Sequence, residues 1–208
     1  TKDTSALVNE FSRIMAFTKE PIVHYLTSTK LESIPIIQAA DTMTTKGEFF
    51  KDNARIYSIN GPDEMLLEDS LMLEISNSRK SVWVHRVDTS ILKRLNAMPF
   101  NSDELVKNLC RTYIIQKESL GKGLARFRFS SRKLFGNPSQ VNTVITVDYS
   151  EEKLLPQSIS IAAEMRQPVD DEISAALKQE GVEDKLVQVI DGARYLIRKQ
   201  VMTITYQG

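Results

Sequence analysis

Apolar residues recur every three or four positions at the start of the chain, where Leu7, Val8, Phe11, Ile14 and Met15 fall within residues 3–19. That spacing is the period of a helix with one dry stripe, and Pro21 stops it. From Thr44 to Val87 the period shortens to two, and the apolar runs are broken by Asn60-Gly61-Pro62, Glu68-Asp69-Ser70 and Asn77-Ser78-Arg79. Alternation with tight punctuation predicts an antiparallel meander, with strands at 47–52, 55–59, 64–68, 71–76 and 81–87. The period then returns to that of a helix. Asp88 or Thr89 can cap a segment in which Ile91, Leu92, Leu95 and Met98 share a face before Pro99, and a shorter helix is expected at 102–109. Strands resume at 111–117 and 123–130, Gly136-Asn137-Pro138 makes a loop, and 141–149 pairs with 155–164. Pro168 opens a late helix that runs to about 180, with Asp170, Asp171 and Glu172 in its first turn and Gly181 after its end. Residues 193–206 form the last strand.

Parity along these strands assigns the dry faces. Leu71, Leu73 and Ile75 alternate with Glu74, and Phe127 and Phe129 alternate with Arg126 and Arg128. Val141, Ile145, Val147 and Tyr149 form a third set, and Ile159, Ile161 and Ala163 a fourth. One curved antiparallel sheet collects these faces on its concave side, covered by the helix stripes over 7–15 and 91–98. The expected fold is therefore α+β, an unclosed half β-barrel covered by helices. It forms a single domain over 1–208, with a helical insertion at about 88–109. Volume left unfilled inside it would be an apolar pocket, lined by Leu73, Trp83, Phe127, Phe129, Ile145 and Ile161. Alternation reports burial without reporting vacancy, so a completely filled core satisfies the same pattern.

Composition narrows the partners. The chain has 208 residues, enough for a sizeable core without a disulfide or metal. Its 27 Lys plus Arg balance 27 Asp plus Glu and no basic block stands out, which argues against nucleic acid. No apolar run approaches the ~18–20 residues that span a bilayer, so an integral membrane protein is not expected. The sequence opens at Thr1 without Met, compatible with a mature chain after signal-peptide cleavage or with a trimmed one. Cys110 is the only cysteine, which excludes an internal disulfide and leaves a periplasmic location allowed alongside a cytoplasmic one.

Catalytic chemistry finds no anchor in this pattern. His24 and His85 lie in no metal-binding spacing, no Gly-x-Ser-x-Gly elbow is present, and Cys110 ends the apolar run Leu105, Val106, Leu109 as an inert thiol would. Gly121-Lys122-Gly123 lacks the rest of a phosphate loop and fits a tight turn opening a strand. The acidic run at 170–172 is explained by the helix dipole, and the basic pairs Arg79-Lys80, Arg132-Lys133 and Arg198-Lys199 are dispersed. No catalytic residue, metal or cofactor is expected.

The order of elements and one stretch carry a family likeness. Lys46-Gly47-Glu48-Phe49-Phe50-Lys51, followed by Arg55-Ile56-Tyr57-Ser58 and Leu66-Leu67-Glu68-Asp69, is similar to the Gly-x-Phe strand, next strand and acidic turn of the LolA-like periplasmic lipoprotein carriers. The helical interruption after the fifth strand and Leu155-Pro156-x-x-Ile159 fit the same pattern, which departs from the family at Asn53-Ala54 and Ser70. The resemblance implies an open barrel with a lid of helices and an apolar cavity for acyl chains. A non-enzymatic periplasmic binder or carrier of a lipidated or otherwise apolar ligand is the expected function, with an acyl chain or lipoprotein as cargo. The alternative is an assembly or interaction module that takes a protein partner along an exposed strand edge.

Overall fold

Two-residue turns leave successive strands no option but antiparallel pairing. The computed structural model, which describes residues 4–53, 55–87, 112–131 and 140–207, joins twelve strands in one sheet. These are β1 (Ile22–Ile34), β2 (Thr42–Asp52), β3 (Arg55–Asn60), β4 (Asp63–Glu68), β5 (Leu71–Ser76), β6 (Ser81–Arg86), β7 (Tyr113–Gly121), β8 (Leu124–Ser131), β9 (Gln140–Ser150), β10 (Leu155–Pro168), β11 (Val187–Ile190) and β12 (Ala193–Gln207). Their order is β6-β5-β4-β3-β2-β1-β12-β10-β9-β8-β7, with β11 beside the start of β12. Strands β6 and β7 end the row, so the sheet is open as expected, and helices are minor elements.

The first helix divides into α1 (Thr4–Ile14) and a 3-10 turn (Met15–Lys19). Two further helices, α2 (Asp171–Gln179) and α3 (Glu183–Leu186), link β10 to β11. The start of the late helix needs correction: Pro168 is the last residue of β10, in register with Tyr195. Asp170 is the N-cap instead, its side chain accepting the Ile173 N–H at 2.8 Å. The expected helical insertion at 88–109, Cys110 and the 136–138 loop lie outside the described residues.

Strand β1 is absent from the pattern above, yet it sits in mid-sheet between β2 and β12. Its inward set is Val23, Tyr25, Thr27, Thr29 and Leu31, whereas Ile22 and Leu26 face out with His24 and Lys30. Threonine favours a strand by its branched Cβ and carries no hydropathy contrast, so the alternation is blurred. The turn reading of 121–123 holds, because Lys122 takes φ 55° between Gly121 and Gly123 where β7 folds back into β8.

Cross-strand partners share a face, so the registers sort every side chain. Helix α1 lies on the inner face over β7–β10, where Phe11, Ile14 and Met15 join Phe127, Phe129, Ile145, Val147, Tyr149 and Ile159 in the main core. A smaller cluster of Ile56, Leu67 and Val87, flanked by Phe49, Met65 and Met72, occupies the β2–β6 end. It corrects the face assigned to β5. The turn at Asp69-Ser70 sets Leu67 opposite Met72 and Leu66 opposite Leu73, and Leu67 is completely buried inside, so Leu71, Leu73 and Ile75 face outward. The more apolar parity lost because the register of a two-residue turn binds all positions of both strands at once.

Candidate apolar ligand site

Among the described residues the inner face is filled at one end and hollow at the other. Over β8, the ring of Phe11 meets Phe127 and Phe129 edge-on, with centroids 5.7 and 4.8 Å away. A polar latch adjoins this contact: Glu10 accepts from the Lys117 ammonium at 2.8 Å and the Tyr149 hydroxyl at 2.7 Å. Burial alone would raise the Glu10 pKa, but these two donors outweigh it and hold the carboxyl below its ordinary value. Burial, followed by the bond to Glu10, pushes the Tyr149 hydroxyl up to about 12.

Beyond α1, Phe17 stands edge-on to Tyr25 and Tyr206, each with its centroid 5.9 Å away, and Tyr25 stacks on Phe49. These rings wall off the filled half. Further along β12 the inner positions are Ile204, Met202, Gln200 and Arg198. Met202 and Gln200 form, with Leu31 of β1, Met43 of β2, and Ile161 and Ala163 of β10, a groove of about 440 Å³. Its aliphatic residues share one parity of four neighbouring strands, Glu32, Ser33 and Val201 also line it, and among the described residues α1 does not extend over it.

The loop between β1 and β2 closes one side of the groove with Ala40 and Asp41. Asp41 is buried and fixes the loop: its carboxylate accepts the Ile37 N–H at 2.8 Å, the Gln38 N–H at 3.0 Å and the Arg198 guanidinium at 2.6 Å. The Ile37 N–H, then Arg198 and then the Gln38 N–H lower its pKa from 3.8 to about 2. A carboxylate with a depressed folded-state pKa stabilises above its unfolded value, and that contribution disappears as pH falls through the folded value. Thermal unfolding should therefore show a loss between about pH 4 and pH 2 that Asp41→Asn lacks, so that the gap between the two proteins narrows at acid pH. A gap of constant size across that window would count against the clamp.

The structure divides the six residues expected to line a pocket. Phe127, Phe129 and Ile145 are 0, 1 and 6% exposed and lie in the core beneath α1. Ile161 packs against that core and also borders the groove. Trp83 shares the inner face through its pairing with Glu74, but lines a separate, polar hollow of about 320 Å³ with Asp63, Glu74 and Arg79. Leu73 faces the other side of the sheet, opposite Leu66 and Val84, and borders an outer hollow of about 440 Å³. Leu31, Met43 and Met202 were missed. Met202 shares inward parity with Tyr206 on a strand the pattern does reveal, whereas Leu31 and Met43 only acquire a face once β1 is recognised.

Among the described residues no group of three or more His, Cys, Asp or Glu could hold a metal ion, and no helix is long and apolar enough to cross a membrane. His24 bonds Glu48 at 2.8 Å on the outer face, and His85 lies 3.4 Å from Glu74 on the edge strand.

No family model and no curated protein matches the sequence. Among solved structures, the chain is similar to a DUF1329 family protein from Desulfovibrio piger, at 12% identity and a TM-score of 0.37, covering 100% of this chain and 92% of the other. It is also similar to a LolA superfamily protein from Nitrosomonas europaea, at 8% identity and a TM-score of 0.32, covering 99% of this chain and 91% of that one.

Proposed function

We propose that this protein binds or carries an apolar, chain-like ligand of the acyl class, without catalysing a reaction, and that it works in the periplasm. The observation that carries the reading is the groove beside the core, whose volume falls within the range of small-molecule sites. Leu31, Met43, Ile161 and Met202 offer dispersion contacts that suit methylenes, while Glu32, Ser33, Asp41 and Gln200 supply the polar part of the lining. Burying about ten methylenes at ~0.8 kcal/mol each would contribute about 8 kcal/mol before ordering costs. The likeness of residues 46–51 and 155–159 to the lipoprotein carriers supports the same reading.

Titration with a fluorescent fatty acid tests it. Met202→Glu places a carboxylate in the groove floor and should weaken binding at least tenfold, about 1.4 kcal/mol, whereas Val84→Glu on the outer face should leave it unchanged. Absence of saturable binding by the unmodified protein would overturn the proposal. Phe129 is a poor probe, because its substitution reports core stability. A second reading, an interaction module, is favoured by edge strand β6, where Val82 and Val84 are 59 and 67% exposed. Crosslinking that recovers one protein through β6, with no lipid bound, would select it.

A further inference from the structure

The turn from β1 into β2 carries three exposed isoleucines, and nothing in the groove's chemistry requires them. Ile34, Ile36 and Ile37 expose 41, 58 and 38% of their surface at this tip, and Leu31 and Met43, just behind on the inner face, border the groove. Three isoleucines in contact with water are costly unless something covers them. Their presentation is built in. Asp41 holds the backbone of Ile37 and Gln38, and Arg198 ties Asp41 to the sheet while approaching the Pro35 carbonyl, so the loop is pinned while its isoleucines stay exposed.

We propose that this tip docks the protein on an anionic lipid surface, with Ile36 and Ile37 entering the headgroup region. Area argues against a second copy of the chain, since a stable dimer needs ~800 Å² per partner and three partly exposed isoleucines fall well short of it. Composition argues against a protein pocket, because the tip offers no Trp, Tyr or Arg anchor of the kind that dominates such interfaces. Charge then selects among lipids. Near the tip Lys30 is neutralised by Glu32 and Arg198 by Asp41. Exposed Lys199 lies in register with Ile34 on β1 and Glu164 on β10, and Glu164 is bonded to Arg166, so among the described residues Lys199 has no ion-pair partner. A cation beside exposed aliphatic side chains is the combination by which a peripheral site gains both apolar burial and attraction to anionic headgroups.

Co-sedimentation with vesicles of equal parts phosphatidylglycerol and phosphatidylcholine tests the proposal, with pure phosphatidylcholine vesicles as the comparison. The unmodified protein should partition onto the mixed vesicles, Ile36→Asp/Ile37→Asp should reduce partitioning at least tenfold, and Lys199→Gln should reduce it on mixed vesicles only. Because all three side chains are exposed, unfolding curves of the variants should coincide with the parent and exclude misfolding as the cause. Failure of the parent to partition, wild-type partitioning by the double variant, or protein capture through the tip with vesicle binding unaffected would each overturn it. Fatty-acid titration of the double variant in vesicle-free buffer reports on the groove alone, so failure of the docking surface and failure of the acyl reading remain distinguishable.

Discussion

Replacing Phe11 by alanine is expected to cost about 3–5 kcal/mol of stability, a large fraction of the roughly 5–15 kcal/mol that holds an ordinary domain folded. The ring is 1% exposed and wedged edge-on between Phe127 and Phe129, so truncation leaves a cavity bounded by side chains that the β8 ladder keeps in place. Helix α1 has only 11 residues, too few to persist on propensity alone, and therefore depends on this docking. The latch from Glu10 to Lys117 and Tyr149 is the adjacent polar half of the same attachment, and it cannot compensate, since both donors are placed by strands that the helix must first reach. Urea unfolding checks the value, with Val84→Ala on the outer face as a control expected to stay within about 0.5 kcal/mol. A near-neutral Phe11→Ala would mean that α1 does not fill the inner face in solution.

Gly47→Ala should destabilise by about 1–3 kcal/mol although it adds a single methyl group. A Cβ at this position would lie 2.6 Å from the Thr27 hydroxyl and 2.9 Å from the carbonyl oxygen of Ile59. The hydroxyl can rotate away. The carbonyl belongs to β3, whose ladder with β2 runs unbroken from Gly47 opposite Asn60 to Asp52 opposite Arg55, and it moves only if the strand moves. A cycle with Thr27→Ala separates the two obstacles: the double variant should recover the side-chain part of the loss and retain the backbone part. Full recovery would show that the carbonyl is no obstacle. The Gly-x-Phe stretch that suggested a family likeness thus has a local physical reason, a close approach of β2 and β3.

Much of the architecture was legible because hairpins are local. The strands from β2 to β6, and β8 to β10, follow from alternation and turn residues within a few positions of each other, and the α1 stripe from Leu7 to Met15 correctly marks the side that meets the core. What was not legible depended on partners distant in sequence. Strand β1 pairs with β2 on one side and on the other with distant β12, where Leu26 stands opposite Gln207 and Ile34 opposite Lys199, and no local contrast announces it. The groove inherits that difficulty. Leu31 and Met43 meet Met202 and Ile161 across strands separated by well over a hundred residues, so its floor exists only after the central pairing is made.

Leu73 and Trp83 mark the boundary between the two kinds of knowledge. Both sit on strands whose existence and direction follow from alternation, yet the turn register places them on opposite faces, and which parity goes inward was decided by Leu67 and Met72 packing beside Ile56. Period, turns, charge balance and the scarcity of reactive residues are properties of neighbours along the chain, and the sequence alone determined them. Register across distant strands, the half of the inner face that α1 fills and the half it leaves open are set by competition for the same buried surface, which only the folded molecule resolves.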